Sequence, residues 1–375
     1  MNRSRIISLL LAALSAVSLS ACGTKPQDST SAAQPESSAV TEDTQTTSAD
    51  SAAVSGESDS TGTSAASVTE TTASTEPESR FVFQPKLSSA FMEEIFGKTM
   101  CETWYNLVDA VMAGDDTFAC PDQQTYGWVM GQFPRIYFPV LYGQIDLAYD
   151  RNNSVKDGIA EFTYLVPKEE LKAKIEDFSA RVELLLNQVF SKDDTDMEKA
   201  LALYQYFSEH YEYDDETYEK MYQTFVDYTT PYRLFTTGTG ICSEIAPMYS
   251  YLLMQAGVDA TTIIGTAHEW SYVRINGHTY HIDPTFVISN RGSLAYFMMT
   301  DTQRELDGYP RSKFVFTSNY STEKPHPDYQ ANDETFAPLW DRQFESIDRE
   351  KRKIHCWQYT EGWEKDYLDF DYTGF

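Results

Sequence analysis

Positive charge is scarce in this chain: 29 Lys and Arg face 57 Asp and Glu, a formal net charge of −28 over 375 residues. So acidic a surface excludes a protein that tracks nucleic-acid phosphates, which requires cationic side chains to displace condensed counterions. No CxxC pair and no HExxH run occurs, so a structural zinc site lacks its usual ligand spacing. An EF-hand calcium loop is lacking as well. No apolar run is long enough for a membrane span, because the longest near the start, residues 6–14, falls well short of ~20 residues. Residues 23–80 contain no aromatic residue and almost no large aliphatic one. Such a stretch of Ser, Thr, Ala, Glu and Asp cannot bury enough apolar surface to offset its chain entropy, so it is expected to stay disordered. As a flexible coil it would span roughly 40 Å, and repulsion between its acids would lengthen it.

What precedes that stretch has the layout of an export signal: Arg3 and Arg5, an apolar run, then small residues. Leu19-Ser20-Ala21-Cys22-Gly23 resembles the lipobox of bacterial lipoproteins, in which the cysteine receives lipid and becomes the mature N-terminus. The alternative is an ordinary cleaved signal with an incidental cysteine. The expected organisation is a signal peptide over 1–21 and a tether over 22–80 that lifts a folded unit off the membrane. The remainder is rich in Tyr, Phe and Trp and can bury a substantial core. No second long linker interrupts it, so 81–194, 195–300 and 301–375 are expected to be parts of one elaborated unit. Outside the cytoplasm Cys101 and Cys120 could pair as a disulfide, while Cys356, in a strand-like run over 354–359, reads as a small buried hydrophobe.

Apolar residues at three- and four-residue steps predict helices over 87–113 and 168–190. Strands are predicted over 135–142 and 158–165. Thr195 and Glu198 form a capping-box pattern that opens a helix running to about Tyr211, with Ala200, Leu201, Tyr204 and Phe207 buried. Gly240-Ile241-Cys242 precedes another helical pattern, 244–256, ended by Gly257. Two strand patterns follow, 268–275 and 278–285, joined by Asn276-Gly277, a strong hairpin signal because both turn positions need positive φ.

That turn fixes a register. Ile275 opposes His278, Val273 opposes Tyr280, and Ser271 opposes Ile282 on a largely apolar face expected to meet the core. The other face carries His268, Trp270 and Tyr272 beside His281, Asp283 and Thr285. His268 and Asp283 then become diagonal neighbours, ~7–8 Å apart along the backbone, within reach of a side-chain hydrogen bond.

A cysteine nucleophile needs a thiolate, a nearby base and a group that orients the base. Cys242 stands at a helix start, where unpaired N–H groups and the helix dipole favour an anion. His268 can hold the proton, and Asp283 can fix the imidazole tautomer. The Cys242 N–H is placed to help bind an oxyanion. Singly, each placement has an ordinary structural explanation, and Asp283-Pro284 is also a common turn former. Cys242, His268, His281 and Asp283 could alternatively gather around a metal, although an acyl-transfer triad explains their order without one.

The ordered set Gly240-Ile241-Cys242, His268-Glu269-Trp270 and Asp283-Pro284-Thr285-Phe286 resembles the transglutaminase-like superfamily over about residues 195–300. The resemblance implies an α+β, papain-like core with a nucleophile helix packed on an antiparallel sheet, elaborated at both ends. It implies Cys242 as nucleophile, His268 as base and Asp283 as the orienting carboxylate, with no cofactor. The sequence departs from the family pattern in three places: Glu269 replaces a small residue, Phe286 replaces a Trp, and Pro247 falls near the first turn of the Cys242 helix. Tyr213 and Asp214 match a Tyr-Asp that precedes this family's core and either line the cleft or pack beneath it; Trp270 and His281 are further cleft candidates. The expected function is cysteine-dependent acyl transfer on protein or peptide amides, cell-wall peptides among them, by an enzyme lipid-anchored through Cys22 outside the cytoplasm. The alternative is a catalytically silent module of the same fold that binds surface protein or cell wall.

Overall fold

The computed structural model describes residues 81–131, 133–147, 154–224, 229–316 and 329–375. The expected signal segment over 1–21, Cys22 and the expected tether lie outside the described residues.

At the centre is an antiparallel sheet in the order Val315–Phe316, Asp259–Ile264, Glu269–Ile275, His278–Ile282. Asn276 and Gly277 both take positive φ, 50° and 79°, and so make the tight turn that joins its last two strands. The resulting register pairs Ile275 with His278, Val273 with Tyr280 and Ser271 with Ile282, as the turn residues require. Helix Cys242–Gln255 packs on one face. Its Ile245, Met248, Tyr249 and Leu252 join Val273, Ile275, Tyr280 and Ile282 in the main core. A polar joint locks the two layers: Ser250 Oγ donates to the Thr261 carbonyl, and Ser271 Oγ donates to the Ala246 carbonyl. The opposite face is also covered, by a second cluster that includes Phe91, Ile263, Trp270, Tyr272, Tyr309 and Phe314. The chain therefore has the α+β architecture of a helix on an antiparallel sheet.

Two helices brace this core. Helix Lys168–Val189 matches its predicted span closely, and its Phe178 ring lies 5.5 Å from that of Tyr251 on the Cys242 helix. Helix Asp196–His210 opens with a capping box in which Thr195 Oγ accepts from the Glu198 N–H and Glu198 accepts from the Thr195 N–H. Glu198 also accepts from Tyr372 Oη at 2.7 Å, which ties the C-terminal strands Gln343–Asp348, Lys353–Tyr359 and Lys365–Asp371 to the core. Cys356 is buried in the middle strand of these three.

Three expectations need correction. The helix expected over 87–113 is two, Ala90–Phe96 and Lys98–Ala113, broken where Gly97 takes φ 84°. Residues 135–142 are not a strand but the end of helix Phe133–Tyr137 and a 3₁₀ turn, Pro139–Leu141. This run is buried on every side, so the alternation that separates strand from helix is missing. The second hairpin strand stops at Ile282, because Pro284 has no N–H to extend the ladder and starts helix Pro284–Ser289 instead. Cys101 and Cys120 are separate buried thiols, each pushed up to about 11 by desolvation.

Candidate active site

Cys242 enters its helix from a strongly fixed loop. Glu212–Tyr213 runs parallel to Thr239–Gly240, and the Asp214 N–H donates to the Gly240 carbonyl. Arg233 joins the two sides, bonding Asp214 at 2.7 Å and the fully buried Glu244 at 2.6 and 2.9 Å. Glu244 in turn accepts from the N–H of Ile241, the residue before Cys242. Asp214 is thus part of the scaffold, held by Arg233 and Thr217, and not a cleft residue. Tyr213 is half-buried beside Cys242, whose charge adds to burial in raising its phenol.

His268 sits where the chain turns into the sheet: Ala267 takes φ 55°, and the His268 carbonyl accepts from the Gly265 N–H. Its ring is packed among those of Phe286 at 5.0 Å, Tyr309 at 5.4 Å and Trp270 at 5.9 Å. Phe286 thereby occupies, as an aromatic plug, the position where the family pattern has Trp. His268 Nε2 lies 2.7 Å from Asp283 Oδ2, and Cys242 is close enough to the same imidazole to help raise its pKa. With Nε2 committed to Asp283, Nδ1 is the nitrogen left to face sulfur. Burial pulls the His268 pKa down, but the charge and hydrogen bond of Asp283, with Cys242 adding, overcome it and raise the value to about 9.

Asp283 does three things at once. Its Oδ1 caps helix Pro284–Ser289, accepting from the Thr285 and Phe286 N–H groups at 3.1 and 3.4 Å. Oδ2 accepts from His268 and, at 3.2 Å, from Arg304. Burial opposes the charge, yet His268, Arg304 and the Phe286 N–H hold the carboxyl below its ordinary range. Arg304 is a fully buried residue that nothing in the local sequence pattern announces. Its guanidinium lies 4.3 Å from the Trp270 ring centre and 4.5 Å from that of Tyr309, a cation between two aromatic faces.

Trp270 and His281 belong beneath the site, and the expectation that they line a cleft is corrected: neither has exposed surface. Trp270 Nε1 donates to His281 Nδ1 at 2.9 Å, so His281 carries its proton on Nε2 and donates to Asp301 at 2.8 Å. Desolvation pulls the His281 pKa down to about 4, which keeps the ring neutral. Both its nitrogens are spent within the protein, so it cannot join Cys242 and His268 around a metal. No group of three or more metal-ligating side chains occurs among the described residues.

The geometry supplies a thiol, an imidazole and a carboxylate in series, with the thiol at a helix start. The family model for the transglutaminase-like superfamily matches residues 184–295. A crystal structure described as a TGase is similar at 16% identity over 54% of this chain and 60% of its own, under two thirds of that protein, with a TM-score of 0.26. So low a score says nothing about the site. No curated protein matches the chain. Residues 184–295, which hold Cys242, His268 and Asp283 in the family's order, are a domain of the transglutaminase-like superfamily.

Proposed function

We propose that this chain is a cysteine-dependent acyl-transfer enzyme that works on protein or peptide amides through a thioester. The observation that carries the reading is one imidazole, His268, 2.7 Å from the buried Asp283, its pKa raised by that carboxylate with Cys242 adding to the effect. His268 takes the thiol proton, and the Cys242 sulfur attacks the amide carbonyl. The Cys242 N–H, in a first turn without intrahelical acceptors, faces the developing oxyanion. Collapse breaks the C–N bond, His268 returns the proton to the leaving amine, and the acyl group remains on sulfur. Water or a second amine then attacks the thioester, with His268 again the base; water makes the enzyme a peptidase or amidase, an amine makes it a cross-linking transglutaminase. Asp283 keeps Nε2–H directed at itself throughout, so that Nδ1 is the nitrogen that trades protons.

The same proposal places the enzyme outside the cytoplasmic membrane, held by lipid on Cys22, with surface proteins or cell-wall peptides as substrates. The Leu19–Cys22 motif and the acidic segment after it support that placement. Labelled fatty acid is expected to enter the wild-type protein and not Cys22→Ser; equal labelling of both would refute the anchor. Surface extracts incubated with wild type and with Cys242→Ala and read by mass spectrometry test the chemistry. Cleaved peptides or new isopeptide bonds are expected with wild type alone. Their absence from both samples favours a silent binding module.

A further inference from the structure

We propose that Arg135, acting through Glu269, is a positioning residue that sets the Cys242 helix against the His268 strand. The inference rests on the acyl-transfer reading above and adds to it a part that lies outside the matched 184–295 core. Arg135 comes from the short helix Phe133–Tyr137 and is buried. Its Nη1 donates to the Ser243 carbonyl at 2.8 Å and to Glu269 Oε2 at 2.8 Å; Nη2 donates to Glu269 Oε1 at 2.9 Å. Ser243 directly follows the nucleophile, and Glu269 directly follows the base. One planar guanidinium therefore holds the neighbours of both reacting groups.

Pro247 explains why the Ser243 carbonyl is available. In an α-helix that oxygen accepts from the N–H four residues on, and residue 247 has none. A buried carbonyl without a donor is costly, so the first turn of the Cys242 helix takes its donor from Arg135. Glu269 stands where the family pattern has a small residue, and it points to the sheet face away from Trp270, where it meets Arg135 in a two-pronged ion pair. Pro247, Glu269 and Arg135 are one device: an orphaned carbonyl, an anion beside the base, and the cation that binds both. Geometry is what such a bracket controls, and a misplacement of about 1 Å between reacting groups costs about 100-fold in rate.

The test compares wild type with Arg135→Met/Glu269→Leu, which replaces the buried ion pair by apolar side chains, so that no unpaired charge is left behind. Iodoacetamide alkylation of Cys242 at pH 6 and pH 9 is read on its own peptide by mass spectrometry, with a thermal melt as the control for folding. The expected result is a folded variant whose melting temperature falls by a few degrees, as the Ser243 carbonyl loses its donor, and a pH 6 alkylation rate at least tenfold lower, with little change at pH 9. A merely structural pair would move the melt and leave the pH 6 to pH 9 ratio alone. A folded double variant that alkylates like wild type overturns the positioning role and leaves the acyl-transfer reading standing. Wild-type Cys242 no faster at pH 6 than a free thiol overturns that reading and this inference together. If the double variant does not fold, Arg135→Lys, which keeps the cation but loses the fork, carries the same comparison: a threefold or larger loss supports the role, and an unchanged ratio overturns it.

Discussion

At the scale of single residues, two buried histidines on one sheet face are driven in opposite directions. Both lose water, but His268 has an ionised carboxylate with a permanent cation behind it, whereas His281 also faces Arg304 and Arg311. Replacing Asp283 with Asn removes the charge that opposes burial. The His268 midpoint, followed by NMR, is expected near pH 9 in wild type and below pH 6.5 in Asp283→Asn, with turnover reduced by about 10⁴-fold as the tautomer is lost. His281 gives a stability prediction. Its folded pKa, about 4, lies below the unfolded value of ~6.5, so the unfolded state takes up the proton first as pH falls. The contribution is complete above pH ~6.5 and is lost between there and about pH 4, on the order of 3 kcal/mol. His268, raised in the fold, binds its proton in both states below pH ~6.5 and adds no slope in that window. Urea melts of His281→Gln should therefore show a flatter acid limb than wild type, and an equal slope would contradict the account.

At the scale of elements, close approach governs the site's floor. A Cβ on Gly265 would lie 2.6 and 2.7 Å from two atoms of the Trp270 ring, which is fully buried against Arg304 and cannot move aside cheaply. Gly265→Ala is expected to cost about 1–3 kcal/mol in a denaturant melt and to slow turnover, since the Gly265 N–H also holds the His268 carbonyl. The hairpin was legible from Asn276-Gly277 because turn chemistry fixes register without help from the rest of the chain. The 135–142 stretch was not, because burial on all sides erases the period that tells a strand from a helix. Cys242, His268 and Asp283 could be read from their order, whereas Arg304 and Arg135 could not. Neither has a local pattern to mark it, and Arg135 reaches its partners across more than a hundred residues of sequence.

At the scale of the whole molecule, the transglutaminase-like core is contacted by chain from both sides. Arg135 reaches in from the N-terminal region, and Tyr372 from near the last residue bonds Glu198 at the capping box of a core helix. Tyr372→Phe leaves one oxygen of the buried Glu198 without that donor and should cost about 1–3 kcal/mol, a fall of several degrees in melting temperature. The proposed Cys242–His268–Asp283 triad is tested most directly by the pH dependence of Cys242 alkylation in wild type, His268→Ala and Asp283→Asn. The account predicts a wild-type rate at pH 6 close to that at pH 8 and a steep loss in both variants. A wild-type rate that falls about tenfold per pH unit below ~8.5, as for an ordinary thiol, with both variants indistinguishable from it, would contradict the account.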